Sequence, residues 1–270
     1  MDTSDQEVQR PTWEEYPDWL LRKSSVADLQ IERVRFENAG IRIREAIEAS
    51  AFWGKVVGSS EDLNDEYFSL CGYQLFAAWR KPEVRVKPFE SVLNKSFRKN
   101  VLLNKSWPTA PHDEWITPSN WLTRLNDIAR TTMIVKYLDG IDYLVQRLQA
   151  FATNAQHSFK VDYEAREEGY YAAHCYIGFY VDLPTVDWHV ESVSTTFEVQ
   201  ITTQLQDVIR GLTHKYYEQR RSRDSVPSVK WQWDHNSSEF IPNYLGHILQ
   251  FLEGMIMEVR TRGEQTWTTK

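Results

Sequence analysis

"FEVQITTQLQDVIRGLTHKYYE", residues 197–218, joins two patterns without a break. Phe197, Val199 and Ile201 alternate with Glu198 and Gln200, the period of a strand with two different faces. An apolar-rich run at helical spacing follows at once, so the chain turns from strand to helix near residue 203. A strand that carries a carboxylate and an amide on one face, just before its end, is placed to do more than pack. Glu198 is the residue the rest of the chain has to account for.

Upstream, "YAAHCYIGFYV" (171–181) and "TMIVKY" (132–137) read as strands from their β-branched and aromatic content. "GIDYLVQRLQAFA" (140–152) is a helix behind the second of these. "PEVRVKPFESVLNKSFRKN" (82–100) reads as a short strand entering a helix near Glu90 or Ser91. The three prolines of "KSWPTAPHDEWITPSNW" (105–121) mark a loop. Residues 1–83 are mostly helical, with a helix start at Ser60 and Asp62. "IPNYLGHILQFLEGMIMEVRTR" (241–262) is the last helix. The result is a small mixed sheet flanked by helices, α+β or α/β.

The 270 residues are 41% hydrophobic, enough for a core, and carry a net charge of −7, which disfavours a general nucleic-acid coat. The eleven Trp read as packing residues. Two cysteines, Cys71 and Cys175, argue against a disulfide framework and fit a reducing compartment. No apolar run is long enough to span a bilayer and no basic-then-apolar leader opens the sequence, so a soluble, cytoplasmic protein is expected. Charge is unevenly spread, however. Arg80 to Lys105 holds eight Lys or Arg against two Glu. Such a run is either a solvated face or a phosphate-binding groove.

Four segments could do chemistry. In "VRVKPFESVLNKSFRK" (84–99), Arg85 and Lys87 share a strand face, and Ser91 and Lys95 share a helix face. That spacing lets all four converge on a polyanion such as a nucleoside triphosphate. No GxxxxGK[ST] or GxGxxG accompanies them. Asp127 precedes a strand, where a turn or cap role competes with a functional one. Tyr170 and His174 share a face as another strand begins. The fourth segment holds Glu198 and Gln200.

In order and approximate spacing these segments resemble the synthetase domain of the RelA/SpoT family, which includes small alarmone synthetases and toxin relatives. "RVKPFESVLNK" looks like the donor segment R-x-K-x-x-x-S-x-x-x-K, and "NDIARTTMIVKY" like the D-x-x-G-x-R strand. "GYYAAH" looks like G-Y-x-S-x-H, and "FEVQITT" like E-x-Q-I-R-T, with "LTHKYY" as the helix behind it. The resemblance spans roughly residues 84–217. It implies an α+β, nucleotidyltransferase-like fold with helical 1–83, a synthetase core at 84–220 and a helical extension at 221–270. That extension either finishes the core or carries a partner surface.

The reaction implied moves the β,γ-pyrophosphate of ATP to the 3′-hydroxyl of an acceptor nucleotide, GDP or GTP giving (p)ppGpp. Arg85 would stack on adenine, with Lys87, Ser91 and Lys95 on the phosphates. Asp127 and Glu198 would bind Mg²⁺, and Glu198 would also take the proton of the attacking hydroxyl. Tyr170 would stack on the acceptor base, with His174, Gln200 and Arg130 on that side. Three positions depart from the pattern: Thr132 replaces the usual Arg, with Arg130 two residues earlier on the same strand face, Thr202 replaces another Arg, and Ala172 a Ser. The acceptor is therefore open. A toxin-type enzyme acting on the 3′ end of tRNA would track the acceptor stem with Lys95, Arg98, Lys99 and Lys105, and a neutralising antitoxin would be its partner. A catalytically dead interaction module is the third reading. His112 and Asp113 form an HD dipeptide without the further histidines and acids of a hydrolase, so alarmone hydrolysis is not expected.

Overall fold

Asp28 ends an extended stretch, and its carboxylate accepts the Gln30 amide at 2.7 Å, starting α2 (Leu29–Glu48). Such caps contribute about 1 kcal/mol. Phe36, Gly40, Ile43 and Ile47 then form the buried stripe of that helix. Ser50 caps α3 (Ala51–Gly58) in the same way, accepting the Trp53 amide at 3.1 Å. The computed structural model describes residues 9–24, 26–111, 114–184, 189–221 and 231–267. His112 and Asp113 lie outside them.

The other helices are α1 (Tyr16–Lys23), α4 (Ser60–Cys71), α5 (Phe89–Phe97), α6 (Trp121–Arg124), α7 (Asp139–Asn154), α8 (Gln204–Arg221) and α9 (Phe240–Trp267). The strands are β1 (Arg85–Val86), β2 (Ala129–Val135), β3 (Phe159–Ala165), β4 (Tyr171–Pro184) and β5 (Val190–Thr203). They form one mixed sheet in the order β1-β2-β5-β4-β3, with helices flanking it, an α+β fold. β3 escaped the sequence reading, and β4 and β5 run longer than their apolar segments. Strand and helix nonetheless meet after Thr203, where the sequence placed the change.

The chain forms two compact units. The first comprises Met1–Ala49, Val84–Arg130 and Gly178–Glu198; the second comprises Ser50–Glu83, Thr131–Ile177 and Val199–Lys270.

In the first unit, Tyr16, Trp19, Phe97 and Trp121 are buried, each such side chain stabilising by roughly 1.5–3 kcal/mol. Asn100 is also fully buried, and its polar atoms are satisfied. Its Nδ2 donates to the Tyr16 hydroxyl at 2.9 Å and the Ile116 carbonyl at 2.8 Å, and its Oδ1 accepts the Ile116 amide at 3.0 Å. The proline-rich loop is thereby tied to the end of α5. In the second unit, β3 pairs antiparallel with β4, Asp162 facing His174 and Glu164 facing Ala172.

Candidate functional site

β1 is only two residues long, yet it places two arginines side by side. Arg85 is the direct antiparallel partner of Arg130 on β2. Like charges directly opposite destabilise a sheet, and here two exposed guanidinium groups are set side by side. Pairing continues past β1, because the Lys87 amide donates to the Ile128 carbonyl at 2.8 Å. This brings Lys87 beside Asp127, in the turn before β2. Lys87 Nζ lies 2.6 Å from Asp127 Oδ2. From α5, Lys95 Nζ reaches Asp127 Oδ1 at 2.7 Å.

One carboxylate cannot neutralise two ammonium groups. Burial opposes ionisation of Asp127, but the Lys87 and Lys95 charges override it and lower its pKa to about 2. Burial lowers the pKa of Lys87, and Asp127 only partly offsets this. Ser91 lies exposed one turn before Lys95 on α5. Lys99 follows one turn later in a π-helical turn, Arg98–Leu102; its pKa is lowered by burial and then by the Lys95 charge. Lys99, which the sequence also places among the residues of an acceptor-stem track, feels the charges of Lys95 and Asp127. Arg124 also acts on Lys99 and was missed. Lys87 and Lys95 sharing one carboxylate, with Lys99 close by, is chemistry suited to a polyphosphate.

Glu198 is only 4% exposed, nearly as buried as Phe197, Val199 and Ile201 beside it. The expected polar face is thus covered at this point. Burying a carboxylate is costly unless its surroundings compensate it, which is why such groups concentrate at functional sites. Gln200 is half-buried on the same strand face. Thr202 stands where the resemblance would place a cation, and its hydroxyl donates to the Tyr171 carbonyl at 3.2 Å. Its role in this structure is to hold the sheet.

The second unit gathers rings. Gly169, with φ of 75°, turns the chain from β3 into β4, a conformation that favours glycine. Tyr170 follows, its hydroxyl 2.9 Å from His174 Nε2 and the two rings edge to face. The Arg166 guanidinium sits 5.3 Å from the Tyr170 ring centroid, held by Nε donating to Glu164 at 2.7 Å. Arg166 was missed too; the only signal was its place two residues after Glu164 in a turn. Behind Tyr170, His247 of α9 bridges two groups. His247 Nε2 lies 2.9 Å from the Glu167 carbonyl, which can only accept, so in the neutral ring Nδ1 accepts from the Tyr171 hydroxyl at 2.8 Å. Gly246 meets Gly169 backbone to backbone: a Cβ at 246 would lie 2.2 Å from the Gly169 carbonyl oxygen.

No family model matches the chain, and no curated protein matches it in sequence. Solved structures do. Small alarmone synthetase 1 from Bacillus subtilis aligns over 85% of this chain and 97% of its own, at 18% identity and a TM-score of 0.53. The structure of that enzyme bound to its product pppGpp aligns over 88% and 100%, at 18% identity and a TM-score of 0.50. The chain has the small alarmone synthetase fold.

Proposed function

We propose that this protein is a nucleotide pyrophosphokinase that transfers the β,γ-pyrophosphate of ATP to the 3′-hydroxyl of GDP or GTP, giving (p)ppGpp. The observation that carries this reading is the closure of Lys87 and Lys95 on Asp127 beside the Arg85–Arg130 pair. The fold supports it, since a protein of that fold is known with pppGpp bound as its product. The 3′-oxygen attacks the β-phosphorus, its bond to the bridging oxygen on the α-phosphorus breaks, and AMP leaves. Pyrophosphoryl transfer gives a protein little covalent work, so catalysis is positioning and charge neutralisation.

The residues divide accordingly. Arg85 stacks on the adenine while Lys87, Ser91 and Lys95 bind the phosphates. Glu198 accepts the proton of the attacking hydroxyl, which typically contributes about 10²–10⁴-fold. Tyr170 stacks on the acceptor base, with His174 anchoring its hydroxyl and Arg166 its ring; Gln200 serves the same side. Arg130, the cross-strand partner of Arg85, serves the phosphates as well as the acceptor.

Among the described residues no three or more His, Cys, Asp or Glu side chains assemble into a metal cage. Mg²⁺ does not need one, because it takes one or two carboxylates and completes its shell with phosphate oxygens and water. Asp127 fits that demand, being ionised well below neutral pH. It and Glu198 would hold the ion, which would neutralise phosphate charge. A triphosphate gives Lys87 and Lys95 new partners and so releases the Asp127 oxygens.

The decisive experiment incubates purified protein with γ-labelled ATP and Mg²⁺, with GDP, GTP, ATP or bulk tRNA in separate reactions. Label should move to GDP or GTP with release of AMP. Label on tRNA alone would replace the acceptor with a toxin-type one, and label on nothing would leave only an interaction module of this fold.

A further inference from the structure

In the second unit, β2 and β5 both hand over to the next element beside one pocket, of about 180 Å³. Lys136 and Leu138 line it directly after β2, Leu205 from the first turn of α8, and Glu253 and Ile256 from α9. Both of its walls are fixed. The Lys136 amide donates to the Leu75 carbonyl at 2.7 Å. Across from it, α9 is tied down on either side of Glu253. Arg260 Nη1 and Nη2 donate to the two Asp139 oxygens at 3.0 and 3.2 Å, and Gln206 Nε2 donates to the Gly246 carbonyl at 3.3 Å. None of the residues assigned to catalysis lines this pocket.

Glu253 forms its floor. The residue is 4% exposed, and neither carboxyl oxygen receives a hydrogen bond of normal geometry. Burial pushes its pKa up; Thr203 and Gln206 offset part of this, but Gln206 is already committed to Gly246. A buried carboxyl so poorly compensated is costly, and each one in a native structure calls for an explanation. Turning an oxygen into the pocket takes a change of rotamer, and a donor seated there would supply the missing hydrogen bond.

The rest of the lining says what kind of donor fits. Lys136 is half-buried, with Nζ 5.3 Å from the Tyr137 ring centroid, and its charge is not among the influences on Glu253. One pocket thus presents a carboxyl and an ammonium that do not answer each other. The other walls are aliphatic, from Leu138, Leu205 and Ile256. Leu205 and Ile256 are 37% and 38% exposed, which puts the mouth on their side. A cavity of about 150 Å³ admits a benzene-sized molecule, so this one takes a ligand of roughly six to ten non-hydrogen atoms.

We propose that the pocket binds a free amino acid with a branched aliphatic side chain. Its ammonium sits on Glu253, its carboxylate on Lys136, and its side chain against Leu138, Leu205 and Ile256. A zwitterion answers both charges at once, whereas a simple amine or acid answers one and leaves the other in a largely apolar site. The assignment goes beyond the catalytic reading and does not rest on it.

The test is isothermal titration calorimetry on the full chain, without ATP. The probes are L-leucine and two molecules that keep its carbon body and drop one charge each, isoamylamine and isocaproate. L-leucine should bind, and each analogue should bind at least about 10-fold more weakly. Glu253→Gln and Lys136→Met should each lose at least about 10-fold in affinity for L-leucine while circular dichroism stays unchanged. If helix content falls in either, Ile256→Trp, which fills the pocket, carries the same expectation. Glu258→Gln, at an exposed acid of α9 outside the lining, should bind like the parent. Binding of L-leucine by a protein that transfers no pyrophosphate would leave the proposal standing, because the readout is binding alone. No saturable binding of L-leucine by the parent overturns it. So does an analogue that binds as tightly as L-leucine, a pocket variant that keeps parental affinity, or an equal loss in Glu258→Gln.

Discussion

In the first unit a carboxylate is shared by two ammonium groups, while in the second a phenol is shared by an imidazole and a guanidinium. The ionic cluster stores unbalanced charge, acts over a distance and is sensitive to pH and salt. The ring cluster is bound by short-range contacts and answers to shape. Removing one partner from the first leaves a largely buried charge uncompensated, which is expensive in a low-dielectric setting. Removing one from the second subtracts a contact and little else. On the proposed reading, the first suits a substrate recognised by its phosphates and the second one recognised by its base.

The largest effect should come from Glu198→Gln, which keeps the shape of a buried side chain and removes its basicity. Label transfer should fall by more than about 100-fold while the thermal unfolding curve stays in place. Near-normal turnover would end the assignment of Glu198 as base.

Asp127→Asn tests the ionic cluster through stability. The folded carboxyl titrates at about 2, below its ordinary value. Its contribution is thus complete above about pH 4 and is lost as pH falls through about 2, amounting to ~2 kcal/mol. Urea unfolding at a series of pH values should show this acid limb in the parent and not in the variant. An identical slope in both would mean that the lysines do not hold Asp127 in solution.

Tyr170→Ala should cost about 10–100-fold in the KM for the acceptor, since base stacking is worth about 1–3 kcal/mol, and should leave ATP binding unchanged. Tyr170→Phe should cost less, losing only the hydroxyl contact to His174. An equal loss on ATP would mean that the two clusters are not specialised as described. The smallest effect concerns Arg98→Glu/Lys105→Glu. Lys99 is left alone, because reversing it would disturb Lys95 and Asp127. Transfer to GDP or GTP should be unchanged; with tRNA, each lost phosphate contact would lower the salt slope by about one unit.

Much of this was legible in the sequence. The alternation at 197–201, the strand-to-helix change near 203, and the Ser91–Lys95 spacing are local patterns, and local patterns survive folding. β3 was missed although Phe159, Val161 and Tyr163 alternate with Lys160, Asp162 and Glu164; its apolar positions are few, and an edge strand is free to carry such charges. The Arg85–Arg130 register was not legible, because it depends on pairing between distant segments. Lys99 follows Lys95 by one helical turn, a local spacing, whereas Arg124 joined the ionic cluster only through tertiary proximity.

The close approach of Gly169 and Gly246 limits how the chain can change over generations. Neither position admits a side chain against the backbone it faces: a Cβ on Gly169 would meet the Asn243 carbonyl oxygen at 2.3 Å, and one on Gly246 would meet the Gly169 oxygen. A mutation at either position must wait for α9 to lift from the turn, and lifting it would also unseat His247 from Tyr171. Neither glycine can drift first. The two positions should behave in descendants as a single heritable unit, lost together or kept together.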